Sequence, residues 1–232
     1  MFFAYEDGYK ADADQLYITE NYLQFYDLIT KNKKQESLKY EFSLPSIPRN
    51  IKDLLHLKTL DLSDTNLTFL SPEIRALTNL TELLLYENRL KKLPEKLLDL
   101  EKLEKLILRD NDLETLPKNI NKLKALTELD LDNNLLETLP SSIAFLTNLS
   151  SLYIDNNQFE TFPSVIRPLT GLINFSISDN QLSTIPEWIR ELTNLEELVL
   201  SINQFKNLPS SLISLKKLKY LDASVNQLKK YQ

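Results

Sequence analysis

A leucine recurs every 23 residues along most of this chain, and that spacing constrains the fold more than any other feature. Leu54, Leu77, Leu100, Leu123, Leu146, Leu169, Leu192 and Leu215 are evenly separated, with no insertion between them. Each opens a copy of the pattern L-x-x-L-x-x-L-x-L-x-x-N-x-L-x-x-L-P-x-x-I-x-x, and residues 77–99 are a clear instance. An asparagine position is filled by Asn88, Asn111, Asn134, Asn157, Asn180, Asn203 and Asn226, and a proline position by Pro94, Pro117, Pro140, Pro163, Pro186 and Pro209. A fixed period of this length means stacked coils, because a single copy cannot bury its own apolar face.

Each part of the repeat has a physical role. The L-x-L segment, as in Leu83-Leu84-Leu85, alternates with period two and predicts a short strand whose outer leucines point inward. One strand per coil, always in the same direction, predicts a parallel sheet with every connection returning over the far side. The asparagine is expected to turn the chain out of the strand while satisfying backbone groups that a sharp interior bend would orphan. Leu-Pro and the apolar positions after it predict a return limb of short helical turns, bulkier than a strand. The stack should therefore curve with its sheet on the concave side.

The pattern resembles the leucine-rich repeat family, in the 23-residue form of bacterial repeat proteins and intracellular Ras-pathway scaffolds. The resemblance covers residues 38–232. It implies an α/β horseshoe solenoid used for protein–protein recognition. Residues 36–53 are read as a degenerate first repeat, followed by eight 23-residue repeats from 54, the last one truncated. Residues 1–35 hold no repeat but many aromatics, and Tyr22, Leu23, Phe25, Tyr26 and Ile29 lie at helical spacing, which predicts a partly helical N-terminal cap.

Composition narrows the chemistry. The chain has no Cys, so disulfides and thiolate metal sites are excluded, and its single His56 rules out a multi-histidine site. Two glycines, Gly8 and Gly171, cannot supply a glycine-rich phosphate loop. Asp130, Asp132 and Asp155 share one face but belong to no cation-binding loop, and an open sheet offers no pocket for paired-carboxylate catalysis. No cofactor, metal or catalytic residue is expected, and the protein is read as a non-enzyme. Lys216, Lys217, Lys219, Lys229 and Lys230 gather near the last strand, where charge discourages edge pairing. The expected state is a monomer, or a weak dimer joined through that edge.

The outward positions carry the functional expectation. Of the 32 residues that flank or separate the strand leucines, twelve are acidic and only Lys105 and Arg109 are basic, whereas the whole chain has net charge −6. A protein partner with a basic surface is therefore expected on this face, steered by carboxylates and held by apolar anchors. The expected site comprises Glu82, Leu84, Tyr86, Lys105, Ile107, Arg109, Glu128, Asp130, Asp132, Tyr153, Asp155, Val199 and Tyr220. Nucleic acid and membranes are not expected partners: the net charge is negative, and no run of about 18 apolar residues occurs. The opening residues lack a basic, apolar leader, and a glycan at the Asn174 sequon would obstruct the face, so a cytoplasmic setting or a secreted bacterial effector is expected. An immunity or inhibitor protein fits this pattern. The alternatives are the recognition domain of a larger enzyme, such as a bacterial ubiquitin ligase, or a surface ligand sensor.

Overall fold

A computed structural model describes residues 56–229. The expected cap over 1–35, the degenerate repeat over 36–53, Leu54 and Lys230 lie outside the described residues. Within them, the 23-residue period becomes one eight-stranded parallel sheet with strands in sequence order. The strands are β1 Thr59–Asp61, β2 Glu82–Leu84, β3 Lys105–Ile107, β4 Glu128–Asp130, β5 Ser151–Tyr153, β6 Asn174–Ser176, β7 Glu197–Val199 and β8 Tyr220–Asp222. Every neighbouring pair is in the same register, so residue i lies beside i+23: Leu83 beside Leu106, Leu106 beside Leu129.

The return limbs tighten into 3-10 turns of three to five residues, such as Glu95–Asp99 and Ser141–Phe145. Proline precedes most of them in extended conformation, with φ near −65° to −73° at Pro140 and Pro186, a value its ring already imposes. These limbs are wider than the roughly 4.8 Å spacing of strands, so the solenoid curves with the sheet on its inner wall. No helix among the described residues is long and apolar enough to cross a membrane.

The core is a continuous stack of the repeat leucines. Leu83, Leu85, Leu90 and Leu97 of one coil are fully buried, as are Leu106, Leu108, Leu113 and Ile120 of the next. Phenylalanine replaces leucine at Phe159, Phe175 and Phe205 without leaving the core. On the convex side Phe162 packs edge-on against both Phe175 and Trp188, at centroid distances of 5.9 and 5.6 Å. Trp188, on the return limb, thus has a packing role, and His56 is exposed.

The buried asparagines form a second ladder beneath the sheet. Asn88 donates from Nδ2 to the carbonyls of Leu62 and Leu85, while its Oδ1 accepts the N–H of Leu67. Asn111, Asn134, Asn180 and Asn203 repeat this arrangement. In the first coil Thr65 stands where asparagine would, and its hydroxyl bonds the carbonyl of Leu62 at 2.7 Å. That local bond keeps the turn closed.

Candidate functional site

The inner wall is built from three rows, each one residue per coil, running across the strands. The first row is the first residue of each strand and includes Glu82, Lys105, Glu128 and Tyr220. The middle row is the last residue of each strand: Leu84, Ile107, Asp130, Tyr153 and Val199 are successive or near-successive members. The third row lies two residues later and holds Tyr86, Arg109, Asp132 and Asp155. Ladder bonds such as Leu85 N–H to Ile107 O at 2.8 Å extend the register to it. All thirteen expected residues therefore lie on one surface, because successive strands present the same face.

Their environments differ. Lys105 pairs with Glu128 at 2.9 Å. The guanidinium of Arg109 sits over the Tyr86 ring, 4.9 Å from its centroid, and 3.9 Å from Asp110. Both basic groups of the wall are thus engaged within it. Leu84 and Ile107 are among the apolar residues expected to face a partner here. The two do lie side by side across β2 and β3, but Ile107 is only 6% exposed and offers a partner little surface. Leu84, Tyr153 and Val199 are half-buried, and Tyr220 is exposed.

The central carboxylates do more than display charge. Asp130 Oδ1 accepts the N–H of Asp132, Asp132 Oδ1 accepts the N–H of Asp155 at 2.6 Å, and Asp155 Oδ1 accepts the N–H of Ser178 and the hydroxyl of Ser176. The chain of acceptors bridges three coils. Burial raises the pKa of all three, since a desolvated carboxylate resists ionisation. Asp132, hemmed in further by Asp155 and Asp130, is pushed up to about 8. At neutral pH this part of the wall therefore carries less negative charge than its residue count implies.

One pattern escaped the expected site. At the exit from each strand the backbone takes a left-handed turn, with φ between 46° and 56° at Asp64, Glu87, Asp110, Asn133, Asn156, Asp179, Ile202 and Val225. Asp and Asn suit that conformation; Ile and Val do not. The signal was present in the repeat, since only the last two coils place a β-branched residue at this position.

A curved stack of 23-residue coils, with leucines inside, an asparagine ladder beneath and an irregular inner face, defines a solenoid binding scaffold. The leucine rich repeat family model matches residues 55–113 and 101–159. Over those residues the sequence fits the leucine-rich repeat family, and the fold is that of a leucine-rich repeat solenoid. Comparison with curated proteins finds no significant sequence match. Among solved structures, a leucine-rich repeat protein of Leptospira interrogans is similar at 30% identity and TM-score 0.64, over 89% of this chain and 65% of its own. Internalin C2 from Listeria monocytogenes is similar at 29% identity and TM-score 0.69, over 79% of this chain and 80% of its own. TLR13 in its complex with ssRNA13 is similar at 27% identity and TM-score 0.67, over 75% of this chain but 26% of its own. This chain therefore spans less than two thirds of the Leptospira protein and about a quarter of TLR13.

Proposed function

We propose that the protein is a non-enzymatic binding module whose inner sheet face docks a protein partner with a basic surface. One observation carries this reading: the only two basic side chains of the wall among the described residues are occupied by the wall itself, Lys105 by Glu128 and Arg109 by Tyr86 and Asp110. Glu82, Glu197 and Asp179 remain without an ion pair among the described residues. Such a face attracts lysine and arginine and repels carboxylates and phosphates. The RNA named for TLR13 is for that reason not carried over to this chain.

The rigid sheet supports the same reading, since docking on it orders no backbone and loses little conformational entropy. An immunity or inhibitor protein for a basic toxin, or an exported bacterial effector, would use such a face. In this reading the setting is the cytoplasm of the producing cell or of a target cell. The test is affinity capture from the native cell, with the wild-type chain, with Glu82→Lys/Glu128→Lys, and with a convex control, Lys92→Ala/Lys118→Ala/Glu160→Ala. Capture should be lost only in the inner-face variant and should weaken as salt rises from 50 to about 500 mM, where the Debye length shrinks to a few ångströms. Loss confined to the convex control would overturn the proposal.

A further inference from the structure

The exit row of the inner wall changes character in its last two coils. Six described coils place Asp, Glu or Asn at this left-handed position, whereas Ile202 and Val225 both hold φ of 51°. For a β-branched side chain this conformation is a genuine outlier, because Cβ crowds the following carbonyl. Burial does not compensate: Ile202 is 45% and Val225 71% exposed. The two are neighbours across the ladder, with Ile202 N–H bonded to Ser224 O at 3.0 Å. Val199 flanks them from the middle row of β7. Leu221 and Leu228 are also exposed but occupy inward-facing leucine positions of the final described coil, and they form no part of this patch.

An apolar pair that strains the backbone and still faces water has no folding reason to be there. Strain of this kind accumulates where a ligand is clamped. We propose that Ile202 and Val225, backed by Val199, are the apolar anchor of the inner face, and that they take an aliphatic or aromatic side chain from a protein segment in which it is flanked by lysine or arginine. This rests on the binding function proposed above and names the partner's chemistry. The basic flanks follow from charge: Asp179 precedes Ile202 in the same exit row, and Glu197 and Asp222 lie on the strands leading into the patch. Neither Asp179 nor Glu197 makes an ion pair among the described residues, and Asp222 is held ionised by the N–H of Ser224. A second copy of the chain suits the patch less well, since two-fold pairing would set these carboxylates against their own kind.

The probe is a displayed library of random twelve-residue peptides, selected on the immobilised full chain. Enriched peptides should share an apolar residue flanked by Lys or Arg. Ile202→Asn/Val225→Asn should weaken a selected peptide at least tenfold, whereas the convex change Lys92→Ala/Lys118→Ala/Glu160→Ala should alter its affinity less than threefold. The double variant should also melt at or above the wild-type temperature, because asparagine tolerates the left-handed turn, so lost binding cannot be ascribed to unfolding. Absence of any enriched basic–apolar pattern, a lowered melting temperature in the double variant, or peptides insensitive to it overturns the inference. Peptides that ignore Ile202→Asn/Val225→Asn but lose affinity with Glu82→Lys/Glu128→Lys leave the wider proposal standing. Peptides insensitive to every inner-face change remove both. A dimer that the double variant dissociates and no selected peptide competes away would assign the patch to self-association instead.

Discussion

Asn111 Nδ2 lies 2.9 Å from the carbonyl oxygen of Leu85, 26 residues earlier, and 3.0 Å from that of Leu108 in its own coil. Its Oδ1 accepts the N–H of Leu90 at 3.0 Å. One side chain thus ties two coils together in a place water does not reach, and only 7% of Asn111 is exposed. Asn111→Ala would leave a buried donor and two buried carbonyls short of a partner. The expected loss is about 3 kcal/mol, since each orphaned buried group costs about 1–3 kcal/mol and the carbonyls keep part of their bonding. Urea denaturation followed by circular dichroism checks this, and a loss below about 1 kcal/mol would mean the ladder is dispensable.

Acidity should stabilise this protein relative to mild alkali at one place. The pKa of Asp132 is about 8 in the folded chain against an ordinary carboxylate value of 3.8, so between those limits the folded state holds a proton that the unfolded state does not. Its contribution is fully present below about pH 4 and is lost as pH rises through about 8. Asp132→Asn keeps an oxygen for the N–H of Asp155 and removes the charge. The variant should match wild type at or below about pH 4, exceed it by a margin that widens up to about pH 8, and show a flatter stability profile between them. Parallel profiles for the two proteins would contradict this origin of the pH dependence.

Asn156 holds φ of 46° at the exit of β5, and its Nδ2 donates to Asn133 Oδ1 at 2.6 Å. Asn156→Val loses that exposed bond and places a branched Cβ in the left-handed region. A destabilisation of about 1–2 kcal/mol is expected from the backbone alone. Asn156→Gly, which pays no such steric cost, should retain most of the stability, and equal losses in the two variants would refute the steric account.

The Lys105–Glu128 pair is short but half in water, with side-chain exposures of 37% and 31%. Exposed pairs of this kind contribute about 0–1 kcal/mol. Lys105→Ala should therefore change the melting temperature by no more than a few degrees, while increasing partner capture at low salt, because it frees Glu128. Weaker capture would show that Lys105 itself contacts the partner.

Phe175 fills the core where other coils use leucine, and it connects through Phe162 to Trp188, the single tryptophan. Phe175→Ala should cost about 3–5 kcal/mol through lost burial and the cavity left behind. The emission of Trp188, on the return limb of the same coil and linked through Phe162 of the preceding one, should shift with it. An unchanged spectrum would place the disturbance on the sheet side alone.

Much of the fold was legible from the repeat, and much of the inner face was not. The strands fall on the predicted L-x-L segments, Leu83 and Leu85 are buried where alternation put them, and the asparagines bond as their position implied. Ile107 shows the limit: period two points it outward, yet it is only 6% exposed in the stacked sheet. The carboxylates show it again. Counting charges made Asp132 an exposed anion, whereas packing beside Asp155 and Asp130 keeps it protonated near neutral pH.

What the order of residues alone settles here is everything that repeats: the coil length, the direction of the strands, which side chains go inside, and where the chain turns. Those properties follow from backbone bonding and leucine burial within a coil and its nearest copy. Stacking decides the rest, including which polar groups meet, which apolar residues stay wet at Ile202 and Val225, and how acidic the wall is. The reason is that desolvation and much of the Coulomb interaction, as between Lys105 and Glu128 or between Asp132 and Asp155, depend on side chains brought together by neighbouring coils.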